Sequence, residues 1–165
     1  MRTPTIPNLS LIPAVVSALL QAGAQLFALA VVVSTVTEAP PRSLAMYAGE
    51  YVYNSGPFWE VMPTVTLGLL LIALAGNWRT PRRRLLLAAL ALFIATGLFT
   101  VFVMGPAQQA VVGVTYRDAV DEVLRVQAVR WHRLDWASWA LTLSVGVVLA
   151  ASLAVRVPAT TAIEG

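Results

Sequence analysis

The residues Arg130, Trp131, His132, Arg133, Leu134, Asp135, Trp136, Ala137 and Ser138 bring together the only histidine of the sequence, two arginines and a carboxylate. His132 and Asp135 stand three residues apart. On a helix they share a face, the spacing at which a carboxylate orients an imidazole and raises its basicity. They form the best acid–base pair in the chain; the plainer reading is a histidine solvated at a membrane edge. Arg130 and Arg133 are suited to clamp an anionic group or to stabilise an enolate. Arginines at a membrane edge also extend to lipid phosphates with no further role.

A second group lies upstream. Tyr47, Tyr51, Tyr53, Asn54, Gly56, Pro57, Phe58, Trp59 and Glu60 form an aromatic run that ends in a carboxylate, with Pro63 three residues on. Glu60 is a candidate general base or ligand. The plainer reading puts it in the first turn of its helix, where the helix dipole favours negative charge. Ser10, Ser17, Gln21 and Gln25 recur at intervals of about four or seven and so share one helical stripe. Amides in lipid need partners, so the stripe is either glue between helices or one wall of a substrate cavity in which Gln21 and Gln25 hold a carbonyl or hydroxyl. Metal chemistry has weak support, with His132, Glu60 and Asp135 as the only compact ligand set, and no cofactor is expected. A 2-His-1-carboxylate iron site and bis-histidine haem are impossible with one histidine in one chain. The absence of cysteine removes disulfides, thiolate metal sites and thiol redox chemistry.

The elements that position these groups follow from composition. The chain has 165 residues, is 58% hydrophobic and only 12% charged, and so departs from soluble domains toward an integral membrane protein of one domain. A membrane helix needs about 20 mostly apolar residues, and four stretches qualify, at about 9–36, 58–76, 85–104 and 136–155. The first is too long for the apolar region of a secretory signal and reads as a retained span. Residues 115–135 place Asp118, Asp121, Glu122, Arg125, His132 and Asp135 near one helical face. Val120, Val123, Leu124, Trp131 and Leu134 fall on another. The expectation is therefore an all-α, four-helix membrane bundle, 1–165, with an amphipathic extension running with little or no break into the fourth span. Pro106 is expected to stop the third span, and all five tryptophans, Trp59, Trp78, Trp131, Trp136 and Trp139, to sit in the aromatic belt.

Arg79, Arg82, Arg83 and Arg84 crowd the second loop, which assigns that loop and both termini to the cytoplasmic side of a bacterial-type cytoplasmic membrane. The charge is +3, but the arginines are divided among loops and not gathered on one soluble face, so nucleic acid is not an expected partner. No phosphate loop or nucleophile elbow is present.

The order of parts has a family likeness. A tyrosine-containing loop leads into Gly56-Pro57-Phe58-Trp59-Glu60-Val61-Met62-Pro63. An arginine-rich turn follows at Trp78, the third span ends in a proline and polar step, and the fourth opens on Arg130-Trp131-His132-Arg133-Leu134-Asp135-Trp136. This resembles the anthrone oxygenase-like family of small four-helix membrane proteins. The resemblance implies oxidation of a hydrophobic phenolic or polyketide-like compound, in which a base removes an activated proton and the carbanion meets oxygen directly. It would make His132, oriented by Asp135, the base, and Arg130 or Arg133 the enolate stabiliser. Trp59 with Tyr51 or Tyr53 would wall the substrate. The competing expectation is a non-catalytic membrane subunit that binds a protein partner or oligomerises through its amphipathic extension. A transporter ranks last, for want of an acid deep in a span.

Overall fold

A computed structural model describes residues 6–157, and the statements below concern those residues. The helices are α1 (Ile6–Phe27), α2 (Ser34–Val36), α3 (Gly56–Gly76), α4 (Arg83–Phe99), α5 (Gly105–Val112) and α6 (Glu122–Ala154). The π-helical segment Ala28–Val33 joins α1 to α2, and a second, Thr100–Met104, joins α4 to α5, so each chain of segments makes one long helix. Four helical stretches are long and apolar enough to cross a membrane: Leu9–Val36, Gly56–Gly76, Arg83–Val112 and Glu122–Ala154. They carry exposed apolar side chains such as Val16, Leu20, Val61, Ile72, Ile94, Leu98 and Val147, the surface that lipid rather than water would cover.

Neighbouring helices run antiparallel. Ser10 of α1 lies against Gly76 near the end of α3, while Leu19 of α1 lies against Gly146 of α6. Arg82, just before α4, reaches the far end of α6, where its Nε donates to the Val155 carbonyl at 3.1 Å and a terminal nitrogen to that of Leu153 at 3.3 Å. A cation on the last carbonyls of a helix satisfies acceptors that lack an intrahelical donor and opposes the negative end of the dipole.

The buried positions of α6 include Leu124, Ala128, Trp131, Asp135, Ser138, Thr142, Val145, Leu149 and Ser152, alternating four and three apart along the whole helix. Buried positions of the first long helix follow the same rule through Leu11, Val15, Ala18, Ala22, Gln25, Leu29, Val32 and Val36. A repeat of 3.5 residues is the pattern of left-handed, antiparallel helix packing. It places the two seams face to face.

Two apolar cores fill the bundle. One, at the end carrying the arginine turn, includes Leu11, Ala14, Leu70, Ala73, Leu86, Val145 and Leu149. The other, at the loop end, includes Leu29, Val33, Leu44, Val111, Leu124, Ala128 and Trp131. Buried polar side chains, Ser17, Gln25, Thr66, Asp135, Ser138 and Thr142, occupy the layer between them. At the loop end the Asp121 N–H donates to the Pro40 carbonyl at 3.0 Å, tying the two long loops together.

The structure departs from the sequence expectations in three places. Helix α6 starts at Glu122, not near residue 115, because the Asp121 carboxylate accepts from the N–H groups of Val123 and Leu124 at 2.9 and 3.1 Å and caps the helix there. Pro106 does not end the third span. It sits in the first turn of α5, and the wider π turn before it accommodates the N–H that proline lacks. Trp131 leaves the aromatic belt, since the seam of α6 turns it inward, where it is 2% exposed.

Candidate functional site

A cavity of about 450 Å³ opens in the loop-end half of the bundle. That volume lies within the roughly 300–1,000 Å³ usual for small-molecule sites. Its walls come from four helical stretches and one loop. The first contributes Gln25, Ala28, Val32 and Val33, the third Thr100, Met104 and Gln108, and α6 contributes Trp131, Asp135 and Ser138. Tyr47, Tyr53, Asn54, Ser55, Gly56, Trp59 and Pro63 close it from the loop and the start of α3.

Both π-helical segments therefore border the cavity. In the first, the Ser34 N–H reaches back to the Leu29 carbonyl, five residues earlier. Single π turns inside α-helices gather at functional sites because they widen the helix and displace side chains locally. Pro63 acts similarly in α3, withholding the N–H that would have bonded the Trp59 carbonyl.

The polar floor is a three-residue cluster. Gln25 Nε2 donates to Ser138 Oγ at 3.0 Å and to Asp135 Oδ1 at 3.3 Å. Asp135 is only 7% exposed and is the one carboxylate among the described residues that line the cavity. Trp131, one turn before it, is buried, and its indole N–H has no hydrogen-bond partner. Such an orphan donor costs about 1–3 kcal/mol.

The lip is aromatic. Tyr47 and Tyr53 meet edge to face at 6.1 Å, and the Tyr53 N–H donates to the Met46 carbonyl at 2.8 Å. Asn54 folds onto the start of α3, its Oδ1 accepting from the Gly56 N–H at 2.9 Å. Burial, and secondarily the neighbouring Tyr53, push the Tyr47 phenol above its usual value of 10.0. Folding thus favours the protonated phenol. As pH rises through about 10 the unfolded chain releases this proton first, so stability falls with pH from there. Thermal melts between about pH 9 and pH 11 are expected to show a steeper alkaline loss for the native chain than for Tyr47→Phe, and equal slopes would refute the linkage.

The residues singled out from sequence separate into two groups. Gln25, Tyr53, Asn54, Trp59 and Asp135 line the cavity; Gln21, Tyr51, Glu60, Arg130, His132 and Arg133 do not. Gln21 faces α3, with its Oε1 accepting from Thr66 Oγ1 at 3.2 Å, while Ser17 and Thr66 hydroxyls lie 2.8 Å apart. The glutamine stripe is thus glue at Gln21 and cavity wall at Gln25. Tyr51 is 91% exposed. Glu60 is exposed and stands beyond the first turn of α3, since Gly56-Pro57 opens that helix earlier than residue 58.

His132 bonds elsewhere. Its Nε2 accepts from Trp136 Nε1 at 3.2 Å and its Nδ1 lies 3.5 Å from Thr37 Oγ1, so neither nitrogen bonds Asp135. The residues three apart straddle the seam, with Asp135 inward and His132 beside it. Arg130 and Arg133 lie on an exposed groove of α6 with Glu122, Arg125, Val126, Val129 and Leu134. Among the described residues no group of three or more His, Asp or Glu side chains stands together as a metal-ligand set.

Sequence reasoning placed Trp131 in the aromatic belt and gave no site role to Ser138, Met104 or Gln108. The signal for Trp131 and Ser138 was present, because they fall at i−4 and i+3 from Asp135 on the alternating four-and-three seam.

A multi-pass membrane bundle with a cavity at one end defines the class. Within that class, the family model described as Anthrone oxygenase matches residues 50–155, well over half of the sequence, and the chain belongs to that family. Gln25 and the first π segment lie outside the matched stretch. No curated protein and no solved structure matches the chain.

Proposed function

We propose that this chain is a membrane-embedded, oxygenase-like oxidoreductase that acts on a flat, hydrophobic phenolic or polyketide-like compound. The observation that carries the reading is the cavity itself, aromatic at Tyr47, Tyr53, Trp59 and Trp131, with a single buried carboxylate, Asp135, on its floor. Family membership supports the reaction type.

In this reading Asp135 takes the place first given to His132. A carboxylate oxygen accepts a proton from an activated C–H of the ligand, and Gln25, whose amide also bonds Ser138, holds the carboxyl group in place. The resulting carbanion is delocalised into the aromatic ketone and reacts with dioxygen, the oxidant. Overall one methylene and one O₂ give one carbonyl and one water. The apolar surroundings keep water from returning the proton. We further propose that the arginine turn, with Arg79, Arg83 and Arg84, faces the cytoplasm, so that the cavity opens toward the opposite leaflet, where a lipid-soluble compound is concentrated.

The test uses anthrone as probe, with the purified chain in nanodiscs and an oxygen electrode. The expected result is oxygen uptake matched one to one by the quinone, above the spontaneous rate in empty nanodiscs. A rate equal to the empty-nanodisc rate overturns the proposal. The exposed α6 groove with Arg125, Arg130 and Arg133 favours the second reading, a partner-binding subunit, which turnover by the chain alone would exclude as its sole role.

A further inference from the structure

We propose that the Trp131 indole N–H is the hydrogen-bond donor that holds a ligand carbonyl oxygen in the cavity. The inference rests on the reading that the cavity takes a flat aromatic compound, and it assigns a specific role to a group that the fold leaves unused. Buried indole N–H groups find partners as a rule, because in an apolar interior nothing else replaces the water they give up. Trp131 is 2% exposed, lines the cavity and has no hydrogen-bond partner for its indole N–H among the described residues. The other polar groups on the floor are already engaged with one another through Gln25. The orphan donor therefore matches an acceptor brought in by the ligand.

The position on α6 fixes which oxygen that is. Trp131 and Asp135 are four residues apart on the buried seam, one turn and about 6 Å along the axis. A six-membered ring bearing a carbonyl and, opposite it, a methylene spans such a separation. Its carbonyl oxygen would meet the indole N–H while its C–H faces the carboxylate. When the C–H bond breaks, the proton passes to an Asp135 oxygen and the electron pair moves into the ring, so that negative charge accumulates on the carbonyl oxygen. A donor already aimed at that oxygen stabilises the charge as it forms. The arginines first considered for this task lie on the outer groove.

Binding of anthrone and of 9,10-dihydroanthracene, the same ring system without the oxygen, is measured anaerobically on native and Trp131→Phe protein in nanodiscs. The expected result is about a five- to tenfold weaker affinity for anthrone in the variant, the worth of one hydrogen bond, with dihydroanthracene unchanged. Equal changes for both probes, or none for anthrone, overturn the proposal. A second measurement needs no substitution at Trp131. In ¹⁵N-tryptophan protein, the Trp131 indole signal is assigned by elimination through phenylalanine variants of Trp59, Trp78, Trp136 and Trp139. Its proton is expected to move downfield with anthrone and not with dihydroanthracene; an unmoved signal refutes the donor. Neither readout requires turnover. A positive cycle with no oxygen uptake would retain the donor and reject the oxygenase reading, and the reverse pair of results would do the opposite.

Discussion

Asp135→Asn is expected to lower turnover of anthrone by about two to four orders of magnitude, the usual contribution of a positioned general base. The amide is nearly the size of the carboxyl group and its oxygen still reaches Gln25, so the fold and the cavity should persist. What it lacks is an oxygen able to take a proton. His132→Ala, in contrast, is expected to keep turnover within about threefold, because its ring bonds Trp136 and Thr37 and is not part of the cavity wall. Oxygen uptake under saturating anthrone, compared for the two variants and the native chain, decides between them. Loss with His132→Ala and retention with Asp135→Asn would return the base to the histidine.

The second large effect concerns stability. Gln25→Leu removes the protein hydrogen bond to Asp135 Oδ1 together with that to Ser138. An average side-chain hydrogen bond inside a membrane bundle is worth only ~0.6 kcal/mol. Here a buried acid is left without a partner, so the larger penalty of about 1–3 kcal/mol applies. Thermal unfolding in detergent is expected to fall by roughly 3–10 °C. The double variant Gln25→Leu with Asp135→Leu should recover most of that loss, because removing both partners leaves little unsatisfied, yet it should remain inactive. If the double variant were as unstable as the single one, packing rather than polar satisfaction would explain the effect of Gln25.

The four spans could be read from the sequence because lipid demands about 20 apolar residues whatever the packing. Family likeness was legible through the run from Gly56 to Pro63 and the Trp131 segment. The interior was harder to read. In water the apolar face of a helix points inward, but in lipid the outward face is apolar too, so hydrophobicity alone does not tell the two apart. That is why Asp135 was grouped with His132 on a charged face, and why Val123, which is exposed, was grouped with Leu124, which is buried. The four-and-three spacing of small, polar and apolar residues on α6 was the better guide, for it depends on helix geometry and not on polarity. The π turns left no mark that residue type could reveal, since Ala28–Val33 and Thr100–Met104 are ordinary apolar stretches. Gln21 and Gln25 were indistinguishable until the neighbours of each were known.

The two π segments have a genetic corollary. A bond that spans five residues encloses one residue more than an α turn, so each segment stores a single surplus position inside a span. Deleting one codon there would restore the ordinary pitch and remove the local widening, while the turns on either side keep their faces because the surplus residue is absorbed within the segment. The arginine end of the bundle would keep its packing while the wall of the cavity was rewritten. Chain length, as much as side-chain identity, is therefore a means by which this scaffold can acquire a differently shaped site.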